Sequence, residues 1–300
     1  MTTLDTRPIV GPILDTYGSW ETAVRQIGDT VPHGIKVQGW PDRQSNVIAD
    51  ARRRWPTALV ALCPGVDPVA SRWRSREHDP KRGEKAIVEL VGIADGAAAL
   101  GIGHVCFDPE AAWKGATIAE RNDLDAIARE ALARIRIKHP TMQLSVTTYG
   151  WIARARGIGG HSMWASRGWL SGGAAYVSQV YDRSPGQLIN GELAGRESFA
   201  SLKASLACDE KTERFCEVQT HHNTVAELVT VGTSTPATFW WAAGKEELFD
   251  AKGGTAWRAA TALYRAGYWG DGCVAKFQRD HGLTADGKVG PLTLAALNVR

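Results

Sequence analysis

The chain is predicted to fold as an α/β protein, with a (β/α)8 barrel over residues 1–248 and a small all-α domain over residues 249–300. Three observations predict this. Residues 9–244 alternate short apolar runs with helical stretches, the order expected of a β/α barrel. Eight such runs can be counted, and the length lies near the ~250 residues typical of these barrels. No GxGxxG follows the first run, so the alternative of an open, doubly wound sheet lacks its signature.

The predicted strands of the first half are residues 9–15, 34–39, 58–63 and 104–108, and those of the second half are 143–148, 174–181, 215–219 and 237–241. Helices are expected over 20–27, 47–54, 84–100, 121–139 and 197–206. In the fourth of these, Leu124, Ile127, Ala128, Ala131, Leu132 and Ile135 recur at helical spacing and form one apolar stripe. The segment Arg154–Gly173 has no counterpart that can be placed.

Composition suits a globular chain with an ample core: 44% hydrophobic and 22% charged residues. The net charge of +3 is uneven. Residues 251–300 hold seven Lys/Arg against three Asp/Glu, or +4, which leaves −1 on the remainder. A basic tail beside a neutral body suits approach to an anionic polymer, and it gives no reason to expect a nucleic acid. The triplet Arg52-Arg53-Arg54 reads as a solvated helix face. The five cysteines are odd in number and scattered, and Cys63 and Cys106 lie inside apolar runs, so they read as small buried hydrophobes. The first residues, MTTLDTRPIVGPI, lack the charged and apolar regions of a signal peptide, and no run approaches membrane-spanning length. No cofactor, metal or membrane insertion is expected, and a monomer is.

Chemistry in such barrels sits at the C-terminal ends of the strands, and polar residues collect there in this sequence. Asp15 ends the first predicted strand; Gln38 and Trp40 end the second. Asp108 and Glu110 end the fourth, Tyr149 and Trp151 the fifth, and Tyr181 and Asp182 the sixth. Glu217, Gln219 and His221 mark the seventh, and Trp240 and Trp241 the eighth. Acids, amides and aromatics around a barrel mouth suit a carbohydrate. Trp20, Trp55 and Trp73 read as core packing instead. In HVCFDPE, Asp108 and Glu110 are two residues apart and project from one face, with Cα atoms roughly 6.5 Å apart. Glycoside hydrolysis needs a proton donor and a second carboxylate at such a separation. Two neighbouring acids also drive their pKa values apart, which keeps one protonated near neutrality.

A fourth-strand DxE, a first-strand Asp, a sixth-strand acid and an eighth-strand Trp resemble glycoside hydrolase family 25, the barrel-type lysozymes. Family 18, the chitinase-like barrels, is similar in layout, but its fourth-strand motif carries more acids. Gly103 and Cys106 stand where those would be. The resemblance implies Glu110 as general acid, Asp108 as its partner, Asp182 and Asp15 as flanking acids, and Tyr149 and Tyr181 as substrate-orienting hydroxyls. Gln38, Gln219, Trp240 and Trp241 would complete the substrate site.

The tail, GDGCVAKFQRDHGLTADGKVGPLTLAALN, reads as helix, Gly/Asp turn, helix. Gly287 and Gly290 supply backbone freedom in the turns, and Pro291 suits the first turn of a helix. The spacing of Phe277, Gln278, Asp286, Gly287, Gly290 and Thr293 resembles the C-terminal half of the three-helix peptidoglycan-binding domain of bacterial and phage cell-wall hydrolases. That resemblance implies peptidoglycan as the partner, with Gly253-Gly254 as a joint before the domain. A wall-acting chain without an export signal resembles a phage endolysin, held in the host cytoplasm until release. The function expected is therefore a cell-wall lytic muramidase. Two alternatives are an endo-N-acetylglucosaminidase of chitinase-like type and a wall binder with an inactive barrel. A zinc hydrolase fits poorly, because adjacent His221 and His222 point to opposite faces of a strand and no HExxH is present.

Overall fold

The computed structural model describes residues 4–75, 79, 81–114, 117–149, 167–180, 192–193, 196–197, 199–200, 212–219, 223–245 and 249–299. Eight strands close into an all-parallel barrel in sequence order: β1 (Gly11–Thr16), β2 (Gly34–Gln38), β3 (Leu59–Cys63), β4 (His104–Phe107), β5 (Gln143–Tyr149), β6 (Ala175–Val180), β7 (Arg214–Gln219) and β8 (Ala237–Ala243). β8 returns to β1 with Asp15 beside Trp241, and the register shifts by one residue just beyond that pair.

The described helices are α1 (Trp20–Ile27), α2 (Pro41–Arg54), α3 (Asp67–Arg74), α4 (Arg82–Ala99), the single turn α5 (Ala111–Lys114), α6 (Ile118–Lys138), α7 (Val225–Gly232), α8 (Ala251–Arg265), α9 (Cys273–Asp280) and α10 (Pro291–Ala296). Local chemistry explains several starts. Capping boxes open α6 at Thr117/Glu120 and α7 at Thr224/Glu227, each satisfying two otherwise orphaned N–H groups. Pro41 and Pro291 sit in first turns, where a missing N–H costs nothing. The whole predicted stripe of α6, from Leu124 to Ile135, is buried.

Alternation along each strand divides the interior in two. One set of side chains, including Leu14, Val60, Val105, Val146, Cys216 and Trp240, faces outward into the helix layer. The other set, including Ile13, Ala61, Cys63, Cys106, Phe215 and Phe239, fills the barrel. Cys63 and Cys106 are free and buried, as their apolar surroundings predict. His104 lies at the lower end of the barrel interior. Its Nε2 is 2.8 Å from Ser145 Oγ, and burial together with the Lys36 charge pushes its pKa down to about 3, so the ring is neutral.

Two expectations are corrected here. Gly253 and Gly254 are not a joint: they are buried within α8, and the Asp250 carboxylate caps that helix by accepting from the Gly253 N–H. α8 itself lies along the barrel, against β1 and α7, with Trp257 and Leu263 fully buried. The first helix of the tail therefore also completes the barrel wall, leaving α9 and α10 as the projecting part of the small helical domain. Trp240 is the second correction. Strand parity turns its indole outward, and Gly232 of α7 makes the room for it: a Cβ there would stand 2.2 Å from Trp240 Cζ2. Trp240 is a packing residue, and Trp241 alone faces the mouth.

This wedge gives a stability prediction. Gly232→Ala should destabilise the protein by about 1–3 kcal/mol, because the indole has no space into which to move. Urea unfolding measures it; a variant as stable as the parent would mean that Trp240 is not held there.

Candidate active site

The site begins with an inward-facing lysine. In GIKVQ the alternation places Lys36 on the same face as Gln38, inside the barrel rather than in solvent. Its side chain has no exposed surface, and Nζ lies 2.5 Å from Asp15 Oδ2 and 2.7 Å from Glu217 Oε2. It also sits 4.6 Å above the Phe239 ring. Thr147 Oγ1 donates to the same Glu217 oxygen at 3.1 Å, and the Gln38 amide nitrogen donates to both Asp15 oxygens at 2.8 and 3.0 Å. Strands β1, β2, β5 and β7 are thus tied together by charge at the barrel centre.

Two carboxylates share this one cation. Burial works against the ammonium, but the charges of Asp15 and Glu217 outweigh it and hold Lys36 well above its ordinary pKa. For Asp15, burial and then the Glu217 charge win over Lys36 and Gln38, pushing its pKa up to about 7. The sign of the linkage follows. The folded state holds the Asp15 proton more tightly than the unfolded chain does. Its contribution is greatest below the ordinary carboxylate pKa and is lost as pH rises toward 7.

Above this layer stands the acid pair. Asp108 follows β4 on the inward parity of His104 and Cys106, bridged to Gly65 at the end of β3. Its N–H donates to Pro64 O at 3.1 Å and its carbonyl accepts from Val66 N at 3.1 Å. Glu110 N–H donates to Asp67 Oδ1 at 2.8 Å, and the Trp113 and Trp40 indole N–H groups hold Val66 O and Gly65 O. The loop after β3 therefore fixes the backbone that carries both acids. Asp108 Oδ1 is buried and meets no hydrogen-bond partner among the described residues. Burial first, and then the nearby charges of Glu110 and Glu217, raise the Asp108 pKa well above the carboxylate range. Asp108 is thereby biased toward its protonated form.

A cleft of about 390 Å³ opens over Asp108, lined by Tyr17, Trp20, Gln38, Gly39, Gln44 and Gly65 among others. Tyr17 leans on Trp241, with ring centroids 5.7 Å apart, and carries Lys245 Nζ 4.5 Å above its own ring. Aromatic faces beside acids give the mouth what a sugar ring needs: a surface for stacking and groups that exchange a proton.

The expected site residues fall into three groups. Asp108 and Gln38 line the cleft at the mouth, Trp241 meets it through Tyr17, and Glu110 lies near enough for its charge to act on Asp108 but is not among the cleft-lining residues. Gln219 also faces inward, paired in register with Trp241, and is nearly buried. Asp15, expected to flank the substrate, lies one layer deeper with no exposed surface, and acts through Lys36 and Gln38. Tyr149 ends β5, but its side chain lies outside the described residues, as do Tyr181, Asp182, His221 and His222. Among the described residues no three His, Cys, Asp or Glu side chains cluster as a metal site. Three contributors were missed. Tyr17 stands two residues after Asp15, and its signal was the aromatic in DTYG. Lys36 was legible from parity alone. Asp67, the first residue of α3, carries no sequence signal for its bond to Glu110.

In the tail, Gln278 is a hub. Its amide nitrogen donates to Asp286 Oδ1, Lys288 O and Thr293 Oγ1 at 2.8, 2.9 and 3.1 Å, and its oxygen accepts from Gly287 N at 2.8 Å. Phe277, Gln278 and Thr293 are buried. The motif residues thus build the turn between α9 and α10, with Gly287 at φ 71° and Gly290 capping α10.

Residues 273–297 match the family model of the peptidoglycan binding domain. No curated protein matches the chain. Among solved structures, the fold is similar to an endo-β-1,4-mannanase from Thermotoga petrophila, with a TM-score of 0.59 and 11% identity over 86% of this chain and 77% of that one. A chitinase from Chromobacterium violaceum gives 0.55 and 10%, over 83% and 98%. Endo-glycoceramidase II from a Rhodococcus species gives 0.55 and 10%, over 81% and 75%. At this identity the likeness is one of fold: a barrel of the kind these glycosidases share. No helix among the described residues is long and apolar enough to cross a membrane.

The Asp15 pKa yields a prediction. Asp15→Asn removes the surplus carboxylate, so variant and parent should diverge with pH. The unfolding free energy of the variant relative to the parent, from urea titrations, should rise between about pH 4 and 7 and then level off, with a slope approaching ~1.4 kcal/mol per pH unit at most. A difference independent of pH would remove Asp15 from the titration.

Proposed function

We propose that this chain hydrolyses the glycan strands of bacterial peptidoglycan, with the barrel mouth as catalytic centre and the α9–α10 unit as wall binder. The observation that carries the reading is Asp108 lining an aromatic cleft, with Glu110 two residues beyond it, on a chain whose residues 273–297 match a peptidoglycan binding domain. The finer reading is an N-acetylmuramidase of endolysin type, acting on the wall after release from the cytoplasm of a phage host.

The chemistry follows from the electrostatics. The acid pair enters the reaction with one proton, which the burial of Asp108 and the charges around it retain and which passes to Glu110. Glu110, beyond the strand end, delivers it to the glycosidic oxygen as the C1–O bond breaks and positive charge develops on the sugar. Asp108, deeper and tied to the charge network, takes up the negative charge left behind or holds the substrate's acetamido group. Water supplies hydroxide to C1 and returns a proton to the pair. Trp241 and Tyr17 stack on the sugar, and Gln38 positions it. Asp182, Tyr181, Tyr149 and Gln219 belong to the same proposal as the far side of the cleft.

Glu110→Gln preserves shape and removes the transferable proton. Clearing of a peptidoglycan suspension should fall by ~10²–10⁴-fold while the melting curve stays in place. Parent-like clearing by this variant would take Glu110 out of the mechanism.

A further inference from the structure

The small helical unit and the catalytic mouth lie at opposite poles of the barrel. The mouth is formed at the C-terminal ends of the strands by Gln38, Asp108 and Trp241. Every described polar contact made by the chain after α8 is at the other end. Gly270 N–H donates to Thr233 O at 2.7 Å, and Thr233 Oγ1 lies 3.1 Å from Cys273 Sγ, in the turn that leads into β8. The Tyr264 hydroxyl donates to Thr235 O in the same turn. Asp271 accepts both terminal nitrogens of Arg196, at 2.8 and 2.9 Å. Arg196 in turn meets Glu192, whose carboxylate also binds Arg214 at the start of β7. On the far side of the unit, Leu297, Asn298 and Val299 line a cleft with Asp29, Thr30 and Val31, just before β2. Strands of about six residues, at roughly 3.3 Å each, put about 20 Å of barrel between the two poles.

The connection carries no slack. Only residues 266–272 separate α8 from α9, and Tyr268 N–H is bonded back to Leu263 O at 2.9 Å. A loose tether would let a wall-binding unit swing onto the strand being cut. A docked one cannot.

We propose that the α9–α10 unit is a fixed second pole that holds one strand of the anionic glycan–peptide polymer while the mouth works on another, so that each bound molecule bridges two strands. This rests on the function proposed above. The unit exposes Lys276, Arg279 and Lys288 together with Leu292, against the exposed Asp280 and Asp286, so that residues 273–297 carry three basic and two acidic side chains and a net charge of +1.

The test uses the full-length Glu110→Gln chain with soluble, uncross-linked glycan–peptide strands. Short fragments give the stoichiometry by native mass spectrometry, and two per chain are expected. Long strands should then be cross-linked into clusters, seen as light scattering that peaks at intermediate strand concentration and dissolves in excess. Two fragments per chain without clustering, and long strands bound ~10²–10⁴-fold more tightly than fragments, would mean that both sites engage one strand in line, which overturns the proposal. One fragment per chain, or none, overturns it differently, because a site assigned by the proposed function would not bind at all.

Discussion

A lysine ammonium sealed inside the barrel sets the terms for the rest of the site. Taking such a charge out of water costs several kcal/mol, and only close, hydrogen-bonded counter-charges make it tenable. Lys36 has two, Asp15 and Glu217, fixed by Gln38 and Thr147. The strands that carry them can neither slip in register nor rotate without stranding a charge. The same network leaves a net negative environment beneath the mouth. Burial first, and then the nearby Glu110 and Glu217 charges, raise the pKa of Asp108, so the structural centre and the proposed chemistry are linked by one electrostatic account.

Much of the fold was legible because it rests on periodicity. Eight apolar runs and the stripe of α6 were read directly, and each strand stands within about two residues of its expected bounds. Parity should have gone further. Lys36 shares a face with Gln38, and Trp240 cannot share one with Trp241, so a strict alternation would have placed the buried charge and removed Trp240 from the mouth. The bond from Asp67 to Glu110 was not legible: it joins the start of α3 to the loop after β4, and their meeting depends on the closed barrel. Gly253-Gly254 misled for a physical reason. Paired glycines read as a hinge, but in α8 the absence of side chains suits a buried helix start capped by Asp250.

The tail shows how a motif can be structural and diagnostic at once. Gln278, Asp286, Gly287 and Thr293 recur at fixed spacing because they close one turn through a single amide group. Gln278 and Thr293 are buried and act through the turn that they hold, whereas Asp286 stays exposed beside it. The docking of this unit on the lower pole also ties its stability to the barrel through α8, which belongs to both.

The measurement that bears most directly on the central claim is mass spectrometry of reduced products from purified peptidoglycan. Cleavage of glycan strands as proposed leaves intact stem peptides on fragments with newly formed, reducible sugar ends, and for a muramidase those ends are muramic acid. Products with intact glycan and severed amide or peptide bonds would contradict the account, because the carboxylate pair at the mouth would then not be cutting sugars.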